Sequence, residues 1–181
     1  NSVSAQSLPK NYAEALKEYS ENAIDVAKFL DEKTENVLAK SFVDAAAANQ
    51  ATVEAAHIML ELVKTKKVRL IFGRLGISYK NFVSRIERLA ENVPKTHNPT
   101  LLGQNWQKAV LYAFGETVKK HQDQITVVEL FEGVVFSDKY VYDIITDLGC
   151  DLLKLKHVIE WMHAQKILIE RLRKWKTLAA M

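Results

Sequence analysis

The chain is poor in the residues that interrupt or cross-link a fold. Its 181 residues include three prolines, six glycines and one cysteine. A single cysteine excludes an internal disulfide. We interpret Cys150, which follows Gly149 at an apolar position, as a buried thiol rather than a catalytic one. With so few helix breakers and long stretches of Ala, Leu, Lys, Glu and Val, the composition predicts an all-α protein.

Long hydrophobic runs and a strong charge of one sign are also missing. Apolar residues make up 48% of the chain, but no run approaches the roughly 18 residues that cross a bilayer. We therefore expect no membrane partner. No leader peptide is visible, and we expect a cytoplasmic location, although the chain begins at Asn1, as a processed fragment would. The net charge of +3 is too small to demand a nucleic-acid partner.

Sequence motifs for nucleotide, metal or covalent chemistry are missing too. No phosphate-binding loop is present, and residues 73–76 lack both the third glycine and the preceding strand of a dinucleotide loop. None of the five histidines has zinc-site spacing, and we interpret His57 as a hydrogen-bonded helix histidine. We therefore expect no catalytic residues, no cofactor and no metal.

A ten-residue pattern occurs twice, at residues 68–77 and 141–150. Each copy predicts a short helix that stops at Leu-Gly, where glycine suits a left-handed C-cap because it has no Cβ. Matched apolar residues extend the similarity outward into an internal repeat. The pairs include Val68 with Val141, Ile71 with Ile144 and Phe82 with Leu155 at a spacing of 73, and Leu38 with Val110, Phe42 with Phe114 and Val53 with Ile125 at 72.

The repeat predicts two tandem four-helix units with pseudo-two-fold symmetry, an extra N-terminal helix and a long C-terminal helix. The predicted boundaries are a disordered lead-in at 1–10, the extra helix at 11–30, repeat 1 at 31–93, a linker at 94–103, repeat 2 at 104–163 and a helical extension at 164–181. Asp31 and Thr52 are predicted to cap the first two helices of repeat 1. Thr126 and Glu129 have the spacing of a capping box in repeat 2.

This plan resembles the amino-terminal domain of Clp ATPases of the ClpA, ClpB and ClpC type. Each copy in that family has an Ala- and Leu-rich helix, a capped stretch of the form G-T-E-H-hydrophobic, and an L-G turn. Here the matching segments are residues 31–49, 52–62 and 75–76 in the first copy, and 105–121, 125–133 and 148–149 in the second. The resemblance covers residues 31–163.

The resemblance implies a domain without catalysis of its own that recruits protein substrates or adaptors. It would serve an ATP-dependent chaperone or protease regulatory subunit, with AAA+ modules in the same full-length chain. An apolar groove between the two copies would accept a peptide or an adaptor helix. The predicted partner-binding residues are Thr52, Glu54, Ala56, Thr126, Val128 and Glu129. The alternative for these residues is that they only cap helices.

Phosphoarginine binding, which the resemblance implies for some ClpC-type members, depends on the Glu of each G-T-E-H. Ala56 and Val128 occupy those two positions here, and Glu54 and Glu129 lie nearby. A phosphoguanidinium site needs a fixed carboxylate. We therefore do not expect this chain to recognise phosphoarginine.

Two other classes of function remain open at this point. One is a helical nucleic-acid-binding domain that uses the basic C-terminal helix, with Lys166, Arg171, Arg173, Lys174 and Lys176 on phosphates. The same stretch also fits an amphipathic helix with a solvated basic face and buried tryptophans. The other class is a helical enzyme with dispersed acid and base residues, which would require a deep polar pocket.

Overall fold

The structure, a computed structural model, describes residues 25–98 and 100–179. Within them lie eight α-helices and two short strands. In chain order they are α1 (Glu32–Ala47), β1 (Thr52–Val53), α2 (Ala55–Leu62), α3 (Lys66–Leu75), α4 (Tyr79–Glu91), β2 (Leu101–Leu102), α5 (Gln104–Lys119), α6 (Val127–Ser137), α7 (Lys139–Asp147) and α8 (Leu152–Ala179). The all-α prediction is confirmed, with four helices in each repeat.

The predicted extra helix at 11–30 lies outside the described residues as far as residue 24. Its described end is different from the prediction. Val26–Phe29 form a 3-10 turn that Asp25 caps, and Leu30 is extended. The chain is therefore not α-helical up to Leu30.

Local sequence signals set the helix ends. The Asp31 carboxylate accepts a hydrogen bond from Thr34 N–H at 2.7 Å, which caps α1 as predicted. Gly76 (φ 71°) and Gly149 (φ 85°) follow α3 and α7 in the left-handed conformation that glycine favours. The two Leu-Gly signals therefore end equivalent helices in the two repeats.

The two repeats exchange short backbone pairings. Asp31 N–H donates to Ile125 O at 3.0 Å, and Gly103 N–H donates to Val53 O at 2.9 Å. Each hydrogen bond joins the start of one repeat's first helix to the start of the other repeat's second helix. The second pairing includes the parallel strands β1 and β2, so part of the predicted linker 94–103 is strand. These exchanged pairings fix the two repeats around their pseudo-two-fold axis.

One hydrophobic core spans both repeats. The Phe72 ring of repeat 1 lies 4.6 Å from the Phe82 ring and 6.0 Å from the Phe131 ring of repeat 2. All three side chains are almost fully buried. Burial of each phenylalanine contributes roughly 1.5–3 kcal/mol to folding, before any aromatic contact is counted.

The long helix α8 docks on repeat 1 and then leaves the domain. Leu155 and Ile159 are buried, and the Arg74 guanidinium lies 3.5 Å from the centre of the Trp161 ring. Beyond this docked part, apolar side chains that the structure describes are exposed, as at Ile167 (50%) and Trp175 (72%). No helix in the described ranges has both the length and the hydropathy to span a membrane.

Candidate functional site

Thr52 and Glu54, two of the predicted contact residues, lie directly before α2 in repeat 1. Glu54, not Thr52, is the N-cap residue of α2, so the predicted cap is wrong. Thr52 lies in β1, and its hydroxyl donates to Glu54 Oε1 at 2.9 Å. Both residues are half-buried. A Cβ placed on Gly103 would lie 2.1 Å from Glu54 Oε1, so this carboxylate packs against the start of α5.

His57 completes the start of α2. Its Nδ1 accepts a hydrogen bond from Glu54 N–H at 2.9 Å, and its Nε2 lies 2.6 Å from Gln50 Oε1. Nε2 must therefore carry the proton, which it donates to the amide oxygen. Burial lowers the pKa of His57, because charging the ring in this site is unfavourable. This histidine is a hydrogen-bonded structural residue, as the sequence indicated.

The equivalent start of α6 uses the predicted capping box. Thr126 N–H donates to Glu129 Oε2 at 2.8 Å, and Val128 N–H donates to the Thr126 hydroxyl at 3.3 Å. Glu129 is fully buried, and its Oε1 lies 3.2 Å from His163 Nδ1. Burial lowers the pKa of His163, although the neighbouring Glu129 carboxylate opposes this shift.

Four of the six predicted contact residues are buried. Ala56, Thr126, Val128 and Glu129 are each at most 5% exposed, so they offer no surface to a partner in this structure. The two positions that would hold the phosphoarginine carboxylates are therefore buried apolar residues.

An apolar groove opens where the two repeats meet. Its volume is 420 Å³. The 3-10 turn forms one wall and the start of α5 forms the opposite wall. The lining residues are Asp25, Val26, Ala27, Leu30, Leu38, Leu102, Trp106, Gln107, Val110 and Leu111. The ring of Phe29 lies 5.3 Å from the ring of Phe114, which holds the 3-10 turn against α5.

The groove lies on the pseudo-two-fold axis. Leu30 and Leu102 are equivalent residues of the two repeats, as are Leu38 and Val110, because each pair is 72 positions apart. All four line the groove. In the sequence, the 72-residue spacing identifies these four residues as repeated apolar positions. It does not indicate that they line a groove.

Trp106 gives the groove a polar group. Its indole nitrogen is buried and has no hydrogen-bond acceptor within the described part of the chain. A buried donor without an acceptor is unfavourable.

Several other ionisable side chains of the described residues have structural partners. Lys120 Nζ lies 2.5 Å from Glu132 Oε2 and 3.6 Å from Glu116 Oε2. Burial raises the pKa of Glu132, and the nearby Lys120 limits the shift. Burial likewise raises the pKa of the Cys150 thiol, which suits the predicted inert cysteine. The described residues contain no group of three His, Cys, Asp or Glu side chains placed to hold a metal ion.

Solved structures with this fold come from several Clp-type proteins. The N-terminal domain of ClpV1 from the E. coli EAEC Sci1 T6SS aligns with a TM-score of 0.66 at 14% identity, covering 82% of this chain and 94% of that one. The Hsp104 N-terminal domain from Candida albicans aligns with a TM-score of 0.65 at 10% identity, covering 72% and 88%. A third structure, with a peptide from the EAEC T6SS Sci1 SciI protein, aligns with a TM-score of 0.62 at 13% identity, covering 77% and 94%.

The sequence itself matches the model of the Clp repeat N-terminal domain family over residues 29–131, more than half of the chain. None of the curated proteins has a matching sequence. The structural similarities support the same fold, and none of the comparisons supports the nucleic-acid alternative. The chain therefore belongs to the Clp repeat N-terminal domain family, the non-catalytic interaction domains of Clp-type ATPases.

Proposed function

We propose that this domain recruits protein substrates or adaptors by binding an apolar segment in the groove on the pseudo-two-fold axis. The groove itself carries the proposal, because its described lining is largely apolar and includes the exposed side chain of Leu102. Leu102 is 44% exposed, and its neighbour Leu101 is 66% exposed. Apolar surface of this kind gains free energy when a partner covers it.

The chemistry of the groove favours a peptide segment as the occupant. Leucine and valine side chains from both repeats offer contacts to apolar side chains of a partner. The Trp106 N–H can donate to a backbone carbonyl of the same segment. The similar structure that includes a SciI peptide supports this type of ligand.

We further propose that AAA+ modules belong to the same full-length chain and that the domain works in the cytoplasm. Family membership supports the first point, because the family consists of domains of Clp-type ATPases. The long helix α8, which continues past the docked part of the domain, is suited to carry that connection. Sequencing the gene on both sides of the region that encodes these residues tests the first point, and cell fractionation tests the second.

The experiment measures binding of a fluorescein-labelled peptide in which Leu and Phe alternate with Ser and Gln. The Leu102→Glu variant places a charge in the groove, and we expect affinity to fall about tenfold or more. Leu153 on α8 is 59% exposed and does not line the groove. Leu153→Glu is therefore the matched control and should bind as the unmodified domain does. Equal binding by all three proteins would contradict the proposal.

A further inference from the structure

A second groove lies mainly on repeat 1, between α1, the end of α2 and the start of α3, with Val127 of α6 at its edge. Its volume is 470 Å³, and it shares no lining residue with the apolar groove. We call it the lysine groove, because five lysines line it. These are Lys33, Lys40, Lys64, Lys66 and Lys67.

The charge of the lysine groove is not balanced. Its one lining carboxylate, Glu61, already pairs with Lys64. The other four lysines have no ion pair with any described residue. Because these cations share one groove, they repel each other, and a bound anion would relieve the repulsion.

The start of α3 increases the positive potential. Lys66 and Lys67 occupy its first turn, which contains no acidic residue. The backbone N–H groups at a helix start carry partial positive charge, so cations are unfavourable there and anions are favourable. The folding of α3 alone therefore does not explain these two lysines.

The pseudo-symmetric position in repeat 2 shows that the fold does not require this groove. Gly133 stands where Glu61 stands in repeat 1, and α6 packs so closely on α5 that an added Cβ would lie 2.3 Å from Ala109 O. Tyr112, the equivalent of Lys40, stacks on Phe136 at 6.1 Å. Repeat 2 thus has a close helix contact and two stacked rings at the positions where repeat 1 has Glu61, Lys40 and Lys64.

We infer that the lysine groove binds an acidic segment of a partner protein. Carboxylates of the segment would pair with Lys33, Lys40, Lys66 and Lys67. An apolar residue between them would lie against Val37 and Val127, which line the same groove. Nucleic acid fits less well, because the lining contains no aromatic ring on which a base could stack.

The test uses a labelled peptide in which Glu and Asp flank two leucines, and a matched peptide with Gln and Asn in place of the acids. In the groove variant, Lys33, Lys40, Lys66 and Lys67 are changed to Gln. In the control variant, the same change is made at Lys80, Lys95, Lys108 and Lys139, which are exposed outside the groove. The two variants therefore have the same net charge, and circular dichroism checks that both are folded.

We expect the groove variant to bind the acidic peptide about tenfold more weakly, and the control variant to bind within about twofold of the unmodified domain. Zero-length carboxylate-to-amine cross-links should map to the groove lysines. Equal losses in both variants, or equal binding of the amide peptide, would overturn the inference. Tighter binding of a single-stranded oligonucleotide with the same dependence on the groove lysines would also overturn it. Leu102→Glu should leave acidic-peptide binding unchanged. The inference about the lysine groove can therefore be contradicted without contradicting the proposal for the apolar groove.

Discussion

His57 and Glu129 occupy the same position in the two repeats, the third residue of α2 and of α6. Each side chain accepts a hydrogen bond from the backbone N–H of its N-cap residue, at 2.9 Å for Glu54 and 2.8 Å for Thr126. An imidazole nitrogen can no longer accept this hydrogen bond once it is protonated, so acid should weaken the start of α2.

The first prediction concerns stability against pH. Burial places the pKa values of His57 and His163 below 6.5, their ordinary value. As the pH falls, the unfolded chain therefore binds protons at a higher pH than the folded domain does. The stability that the two neutral histidines contribute is present above pH 6.5 and is lost as the pH falls below it. We expect the urea midpoint to decrease between about pH 7.5 and pH 5.5.

A His57→Gln variant isolates one of the two histidines. The amide oxygen can still accept a hydrogen bond, but the side chain does not titrate. Its urea midpoint should therefore depend less steeply on pH. Glu132, whose pKa is raised by burial, acts in the opposite direction on acidification and is unchanged in this comparison. An equal slope in both proteins would show that His57 does not contribute.

The second prediction concerns the close contact between α5 and α6. Gly133→Ala would place a methyl group against the Ala109 carbonyl oxygen, and we expect it to lower the free energy of unfolding by about 1–3 kcal/mol. Gly73 lies inside α3 with open space where a Cβ would be added. Gly73→Ala is the control and should raise stability by roughly 0.5–1 kcal/mol. Chemical denaturation measures the free energy of unfolding of both variants. A Gly133→Ala variant as stable as the unmodified domain would contradict the tight packing of α6 on α5.

The third prediction separates the two threonines that the sequence suggested as caps. Thr126→Ala removes the hydroxyl that bonds both Val128 N–H and the buried Glu129 carboxylate, and should cost about 1–2 kcal/mol. Thr52→Ala removes a single bond to Glu54 from a strand residue and should cost ~0.5 kcal/mol. Thermal unfolding compares the two variants. A larger loss of stability for Thr52→Ala than for Thr126→Ala would indicate that Thr52 is the cap.

Local periodicity predicted much of the fold. The two Leu-Gly signals correctly predicted Gly76 and Gly149 as helix-ending residues, and Thr126 with Glu129 correctly predicted the start of α6. The start of α2 was misplaced because Glu54 and His57 make the same type of cap with residue types that capping patterns do not include. The pairings of Leu30 with Ile125 and of β1 with β2 join distant residues, which no local pattern encodes.

The site was predicted less well than the fold. A groove between the repeats was expected, but the contacts were assigned to family positions that are buried here, such as Ala56 and Val128. The sequence does not single out Leu102 and Trp106, because they line a groove only where the folded chain brings the 3-10 turn and α5 together. The lysines of repeat 1 are dispersed in sequence between residues 33 and 67, so their common groove was equally invisible.

The most direct test of the apolar groove is an NMR titration of the methyl and indole groups with the Leu- and Phe-containing peptide. The proposed function predicts shift changes at Leu30, Leu38, Leu102 and Val110. It also predicts a downfield shift of the Trp106 indole proton, because that proton gains an acceptor. Changes confined to the exposed part of α8, or saturation without any change at these groups, would contradict recruitment through this groove.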